Sequence, residues 1–220
     1  AAPAAYARRG RTAGGGALLR LGAHPIGAVL HLKRFEGERR QGRPIRPAWV
    51  TAEVGELTRT PAYQASGARY LAGGFEDVED WATAIIGFED GSRATIFSTD
   101  ASLGGVKNRV EAYLADAVLL ANINPNPSVV TYTPAAATFG DEYLAEKLET
   151  KAGWSFASPD EDWMRGYPQE LEDFIDAVAT GRPAVSDGEL GMEVVRVVYA
   201  AYLSAEQGRR VDLRETEVAR

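Results

Sequence analysis

The sequence predicts an α+β fold: a large, mostly antiparallel β-sheet with helices packed on one face. Three observations lead there. β-rich runs follow one another on short connections through the middle of the chain, and such connections join antiparallel strands. Two amphipathic helices come after them, so that strands first and helices later give a layer of helices over a sheet. The 220 residues are 45% hydrophobic and 25% charged, an ordinary globular balance that is able to bury one core.

Residues 1 to 13 are rich in Ala, Arg and Gly, and no periodicity assigns them. Gly14-Gly15-Gly16 lets the backbone turn sharply and approach other chain closely. A helix is predicted from about Gly16, with Leu18, Leu21, Pro25, Ala28 and Leu32 as its apolar stripe, a bend at Pro25 and an end near Phe35 to Gly37. Glu36 to Pro47 reads as a charged loop, Ala48 to Leu57 as a strand, and residues 58 to 78 as an irregular excursion punctuated by Pro61, Gly67, Gly73 and Gly74. Asp80 to Thr99 is the clearest β signal. There Asp90-Gly91 separates two β-rich runs, and a tight hairpin turn needs residues that tolerate positive φ. Asn108 to Leu114, Ala117 to Ile123 and Ser128 to Thr133 continue the meander across Asp116 and Asn124-Pro125-Asn126-Pro127.

The tail is helical. Asp162 to Thr180 carries Leu171, Phe174, Ile175 and Val178 on one face, read as core, and stops at Gly181 before Pro183. Ser186 and Glu189 have the spacing of a capping box, opening a helix with Leu190, Val194, Val197, Val198 and Ala201 on its buried face. Gly208 ends it, and Arg210 to Leu213 returns as an edge strand.

The net charge of -7 argues against nucleic acid, which needs a basic face. The basic groups Arg8, Arg9, Arg11 and Lys33 to Arg46 read as solvated loop charge. No apolar run approaches the ~20 residues that span a membrane. With no cysteine, disulfides and thiolate metal sites are excluded, and the expected location is the cytoplasm. No metal is expected. The chain starts Ala-Ala-Pro-Ala-Ala without Met and reads as an excerpt or a processed form. A Gly-x-Gly-x-x-Gly turn between strand and helix is absent, so a dinucleotide is not bound by these residues.

The chemistry concentrates at Gly14 to Leu32, which holds both histidines, His24 and His31. Imidazole exchanges a proton near neutral pH, and His24 on a half-buried helix bordering a cleft is a natural acid or base. The competing reading is a core histidine bonded to backbone. A metal shared by His24 and His31 is rejected, because two helical turns separate them by about 10 Å along the axis.

This run resembles the start of the C-terminal domain of the Gfo/Idh/MocA oxidoreductases. Their pattern is a Gly-rich turn followed by Asp-x-x-x-His-x-x-Asp, and it sets His24 at the catalytic acid/base position. Arg20 falls where the first Asp stands and Gly27 where the second does. A fixed positive charge at Arg20 would lower an imidazole pKa that a carboxylate would raise. The end of the chain is similar too: Tyr167-Pro168 through Val178, Gly181-Arg182-Pro183, Asp187-Gly188, Ala200 to Ala205 and Gly208 to Val211 follow in the family's order. Phe88 to Ser92 and Val110 to Leu119 look like its hairpin and next strand pair, with Leu114 where a Gly is usual.

The resemblance divides the chain into a lead-in (1 to 13), the domain (14 to 213) and a tail (214 to 220). It implies an open sheet face used for homo-oligomerisation. It also implies a preceding Rossmann domain that carries NAD or NADP and a catalytic Lys, and a sugar, cyclitol or related polyol as substrate. Arg20 then becomes a substrate contact or a solvent-exposed Arg. Lys107, at the end of the loop Ser98 to Lys107, becomes a candidate substrate contact, with a plain surface Lys as its alternative. Trp163 and Tyr167 either wall the cleft or anchor the last helices. The second functional reading is a non-catalytic ligand-binding or assembly module, which the departures at Arg20 and Gly27 favour.

Overall fold

Alternation along three long strands decides where the core sits. The structure, a computed structural model, describes residues 4–66, 71, 73–103, 106–124, 129–145, 148 and 150–214. In chain order its helices and strands begin with α1 (Gly10–Ala13), α2 (Ala17–Arg20), α3 (Ala23–Gln41), β1 (Pro47–Gly55), α4 (Pro61–Ala65), β2 (Trp81–Phe88) and β3 (Arg93–Thr99). They continue with β4 (Asn108–Tyr113), β5 (Val118–Asn124), β6 (Val129–Thr133), β7 (Gly153–Ala157), α5 (Glu161–Arg165), α6 (Tyr167–Thr180), α7 (Gly188–Gln207) and β8 (Val211–Asp212). Two units result, Ala1–Ser102 with Ser186–Arg220, and Leu103–Val185.

The first unit holds an antiparallel sheet in the order β3-β2-β1-β8. Because side chains alternate between faces, Val50, Ala82, Ala84, Ile86 and Ile96 point together. Against them lie Leu18, Ile26 and Leu30 from α2 and α3, and Val197, Val198 and Ala201 from α7. Each large aliphatic side chain fully buried here contributes roughly 1.5–3 kcal/mol. The outer face keeps Ile85 and Phe97 in solvent, and Trp49 lies between the guanidinium groups of Arg93 and Arg210. Helices therefore cover one sheet face, and the predicted α+β architecture is what is found.

The Asp90-Gly91 hairpin forms as expected, with Gly91 at φ 86°. Asp90 accepts from the Ser92 amide at 3.0 Å and from Lys33 Nζ at 2.8 Å, which ties the turn to α3. Partial burial pulls the Asp90 carboxyl up, but the hydrogen bonds from Lys33 and Ser92 outweigh it and hold the pKa at about 2. An unfolded Asp titrates near 4. Its folded form binds the proton more weakly, so this stabilisation is complete above about pH 5 and is lost as pH falls through the folded value. Urea midpoints measured from pH 6 to pH 2 should fall on acidification, and Lys33→Met should flatten that slope. An unchanged slope would show that the Lys33–Asp90 bond does not couple to folding.

Several local expectations are corrected. The predicted helix from Gly16 is two helices broken at Leu21 and Gly22, and the second runs on to Gln41, so Glu36 to Gln41 is helix and not loop. The break precedes Pro25 because proline then sits in a first turn, where a missing N–H costs nothing. The stripe shifts with it: Ile26 and Leu30 are buried, whereas Leu32 is exposed. Asp187, not Ser186, caps α7, accepting from the Leu190 amide at 2.9 Å. The same carboxylate takes a two-pronged ion pair from Arg34 with both contacts at 2.9 Å, joining α3 to α7.

In the second unit, β4 pairs with β5 and β6 with β7, both antiparallel. The meander thus does not run from β5 into β6, and the link at residues 125 to 128 lies outside the described residues. The single helix predicted over Asp162 to Thr180 is broken at Gly166, whose φ is 87°. Leu171, Phe174, Ile175 and Val178 are 61–70% exposed, so this stripe is not core.

Candidate functional site

The Gly14-Gly15-Gly16 turn is built around a buried carboxylate. A four-residue helix such as α2 leaves its first amides without intrahelical partners. Glu79, only 7% exposed, supplies them: its side chain accepts from the Gly16 amide at 3.0 Å and the Leu18 amide at 2.9 Å, and its carbonyl accepts from Ala17 at 2.9 Å. Tyr202 Oη donates to Glu79 at 2.7 Å and lies 3.3 Å from the Leu19 amide, completing the set. Burial and then the Glu79 carboxylate push the Tyr202 hydroxyl far above its ordinary range, so it stays a donor. This explains the glycines. A Cβ on Gly16 would lie 2.1 Å from the Glu79 carbonyl oxygen, and one on Gly15 would lie 2.3 Å from Tyr202 Oη.

The clamped turn leads through α2 to Arg20. The alternatives of substrate contact or solvent-exposed Arg meet a third arrangement: Arg20 Nη2 pairs with Asp100 Oδ2 at 2.6 Å, their side chains only 22% and 13% exposed. Phe75 lies with its ring centroid 5.4 Å from the Arg20 guanidinium carbon. Asp100 is itself held, its amide donating to the Asp80 carbonyl at 2.8 Å. Asp80 is buried and accepts from the Leu57 amide at 2.7 Å, the Thr58 amide at 2.8 Å and the Thr58 hydroxyl. Arg20 therefore presents a neutralised pair and not a bare positive charge.

Only Leu21 and Gly22 separate α2 from α3, and His24 is the second residue of α3. Its helix is half-buried as expected, but His24 itself is exposed, and among the described residues its imidazole has no hydrogen-bond partner. That excludes the core histidine bonded to backbone. Gly27 faces α7, where its Cβ would come within 3.5 Å of Val194. A carboxylate at that position would start toward an apolar side chain.

The other candidates lie elsewhere. Lys107 is exposed in the second unit, and residues 104 and 105 of its loop lie outside the described residues. Trp163 and Tyr167, also in the second unit, are 62% and 50% exposed and anchor nothing by burial. An open cleft of about 640 Å³ in the first unit is lined by Gly15, Glu56, Asp77, Glu79, Tyr199 and Tyr202 among others, but not by Arg20 or His24. Glu79, Tyr202, Asp80 and Asp100 were missed in the sequence. The one signal for the first two was a triple glycine for which a turn alone gives no need.

Residues 1–119 match the model of the GFO/IDH/MocA C-terminal domain, and residues 136–213 match that of the oxidoreductase family C-terminal alpha/beta domain. The chain belongs to the GFO/IDH/MocA family. Among solved structures of similar form is GenD2 from gentamicin A biosynthesis, determined in complex with NAD, with 28% identity and a TM-score of 0.68. The match covers 96% of this chain and 52% of GenD2. A putative myo-inositol dehydrogenase from Sinorhizobium meliloti shares 19% identity with a TM-score of 0.60, over 97% of this chain and 54% of that one. A myo-inositol dehydrogenase from Corynebacterium glutamicum shares 20% identity at the same TM-score, over 98% and 54%. These last two show the fold. The GFO/IDH/MocA chain described here thus spans about half the length of the solved relatives it matches. No curated protein matches it.

The glycine turn can be tested as a seat for the pyrophosphate of a dinucleotide. The Gly16 and Leu18 amides, which a phosphate would need, are taken by Glu79, and a second anion there would meet its charge. The turn does not fit a pyrophosphate. Among the described residues, no group of three or more His, Asp or Glu could hold a metal ion, and no helix is long and apolar enough to cross a membrane.

Proposed function

We propose that this chain is the substrate-binding and oligomerisation half of a cytoplasmic NAD(P)-dependent oxidoreductase that acts on a CH–OH group of a sugar, cyclitol or related polyol. His24 is its acid/base. The observation that carries this reading is the imidazole itself: exposed, without a hydrogen-bond partner among the described residues, and set at the start of α3 behind a turn clamped by Glu79 and Tyr202. Such a group can take a proton from a substrate hydroxyl as it becomes a carbonyl, or return it in the reverse direction. The nicotinamide, carried by a preceding Rossmann domain, supplies the hydride chemistry. The NAD in the GenD2 structure and the two myo-inositol dehydrogenases support this cofactor and substrate class.

The pairing of Arg20 with Asp100 weakens the part of the case for a non-catalytic module that rested on a lone positive charge at Arg20, while the departure at Gly27 still favours that module. Lys107 remains a proposed substrate contact on the resemblance alone. Ile85 and Phe97, 40% and 59% exposed on the outer sheet face, support assembly of identical chains through that face.

The test uses the protein encoded by the whole gene. NADH and NADPH binding are followed by fluorescence, and NAD(P) reduction is assayed with a panel of sugars and cyclitols. His24→Ala should lower kcat by about 10²–10⁴-fold and leave cofactor affinity unchanged. Cofactor binding without turnover in the parent, or turnover indifferent to His24, would overturn the catalytic reading. Light scattering on the same sample reads the assembly, and a monomer would remove that part.

A further inference from the structure

We propose that Arg20 and Asp100 form a specificity pair that selects uncharged polyols and rejects substrates bearing a carboxylate or an ammonium group near the reacting carbon. The inference rests on the oxidoreductase reading above and adds the charge of the substrate to it.

Charge balance is the first support. With Nη2 and Oδ2 at 2.6 Å and both side chains largely shielded, the two groups present no net charge beside the start of α3. The second is capacity left over. Among the described residues, Arg20 Nη1 and Asp100 Oδ1 make no hydrogen bond, so the pair keeps a donor and an acceptor. Adjacent hydroxyls of a polyol need that combination, since each hydroxyl both gives and takes a hydrogen bond. The third is a pair of unsatisfied atoms. Arg20 Nε and Ser98 Oγ are buried without partners, and Ser98 is only 6% exposed. Ser98 Oγ lies 3.1 Å from where a Cβ on Gly22 would be, two residues from both Arg20 and His24. Native proteins rarely leave such groups unpaired, so each calls for a polar partner that the described residues do not supply.

The rigidity of the pair makes it selective. The Asp100 backbone is anchored through its amide to the Asp80 carbonyl at 2.8 Å, and the Arg20 guanidinium lies over Phe75, which limits how far the pair can move from a charged substrate. A carboxylate drawn to Arg20 must lie beside Asp100, and an ammonium drawn to Asp100 must lie beside Arg20, so each charged guest meets a pole already neutralised by its partner and a like charge next to it. Like charges brought together in a shielded site are strongly disfavoured.

The experiment compares kcat/KM of the whole-gene protein for glucose and myo-inositol, for glucuronate, and for glucosamine. The parent should prefer the neutral pair. Asp100→Asn frees the arginine charge and should raise the glucuronate-to-glucose ratio by about tenfold or more, whereas Arg20→Gln should raise the glucosamine-to-glucose ratio similarly. The double exchange R20D/D100R restores neutrality and should return both ratios toward the parent's; it also serves as the folding control for the single variants. A parent that prefers glucuronate, or single variants that lose all substrates by one common factor, would overturn the proposal and leave the pair structural. If the parent turns over none of these compounds, the oxidoreductase reading fails separately. Titration calorimetry with the same compounds then decides, because Asp100→Asn must still gain affinity for glucuronate, and no gain overturns the specificity pair.

Discussion

Glu79→Ala is expected to destabilise the chain by about 3–5 kcal/mol, a large part of the ~5–15 kcal/mol that holds a domain together. The size follows from what the carboxylate satisfies. Its removal strands the Leu18 amide in a buried site at about 1–3 kcal/mol, leaves the Gly16 amide only its 3.1 Å bond to Tyr202 Oη, and takes from the Tyr202 hydroxyl its acceptor. Water cannot readily replace it while Gly15 and Gly16 stay packed against Tyr202 and the Glu79 backbone. Glu79→Gln should lie between parent and alanine, because its amide oxygen can keep the Oε1 contacts to Gly16, Leu18 and Tyr202 while its NH2 group is turned on the Gly16 amide. Free energies from urea unfolding, with parent and variants at one pH, read this directly. A loss below about 1 kcal/mol for Glu79→Ala would mean that the amides find other partners and that the turn does not depend on the clamp.

That clamp also marks the boundary of what could be read from the amino-acid order. A glycine-rich turn ahead of a helix is a local signal, and so is the Asp90-Gly91 hairpin; both appear where the residues place them. The reason for the glycines is not local. Glu79 lies 63 residues from Gly16, and Asp100 lies 80 residues from Arg20, so nothing in the neighbourhood of either motif announces the partner. Arg20 could therefore be weighed only as a substrate contact or a solvent charge.

Competition between adjacent signals explains other misses. Ser186 and Asp187 are both good caps, and the long reach of Arg34 favours Asp187 in a way that capping spacing cannot foresee. β7 was hidden by inverted burial, since Trp154 and Phe156 are exposed while Ser155 between them is buried against Thr131. An alternating pattern read as apolar inside would have placed those aromatics on the wrong face. The stripe on α6 has the periodicity of a core helix, but periodicity reports an apolar face and not what covers it.

Gly16→Ala should cost about 3 kcal/mol, and the comparison with Gly42→Ala shows why. Gly42 ends α3 at φ 71°, and a Cβ there meets nothing within 4 Å. Alanine at Gly42 is penalised only by its left-handed backbone, by about 1–2 kcal/mol. Gly16 has the opposite profile. Its φ of −99° is not the left-handed value for which glycine is usually kept, so dihedral freedom gives no reason for the residue. Its added Cβ would instead lie 2.1 Å from a backbone oxygen and 2.5 Å from Glu79 Oε2. A side chain could swing aside, but a carbonyl moves only with its chain, and Asp80, the next residue, is held by Leu57 and Thr58. The strain must then pass to the turn that carries α2 and, two residues beyond it, the helix of His24. Unfolding free energies that rank Gly16→Ala no worse than Gly42→Ala would show that the turn yields easily. The larger loss at Gly16, together with reduced turnover in the whole-gene protein, would show that the turn and the site are one mechanical unit.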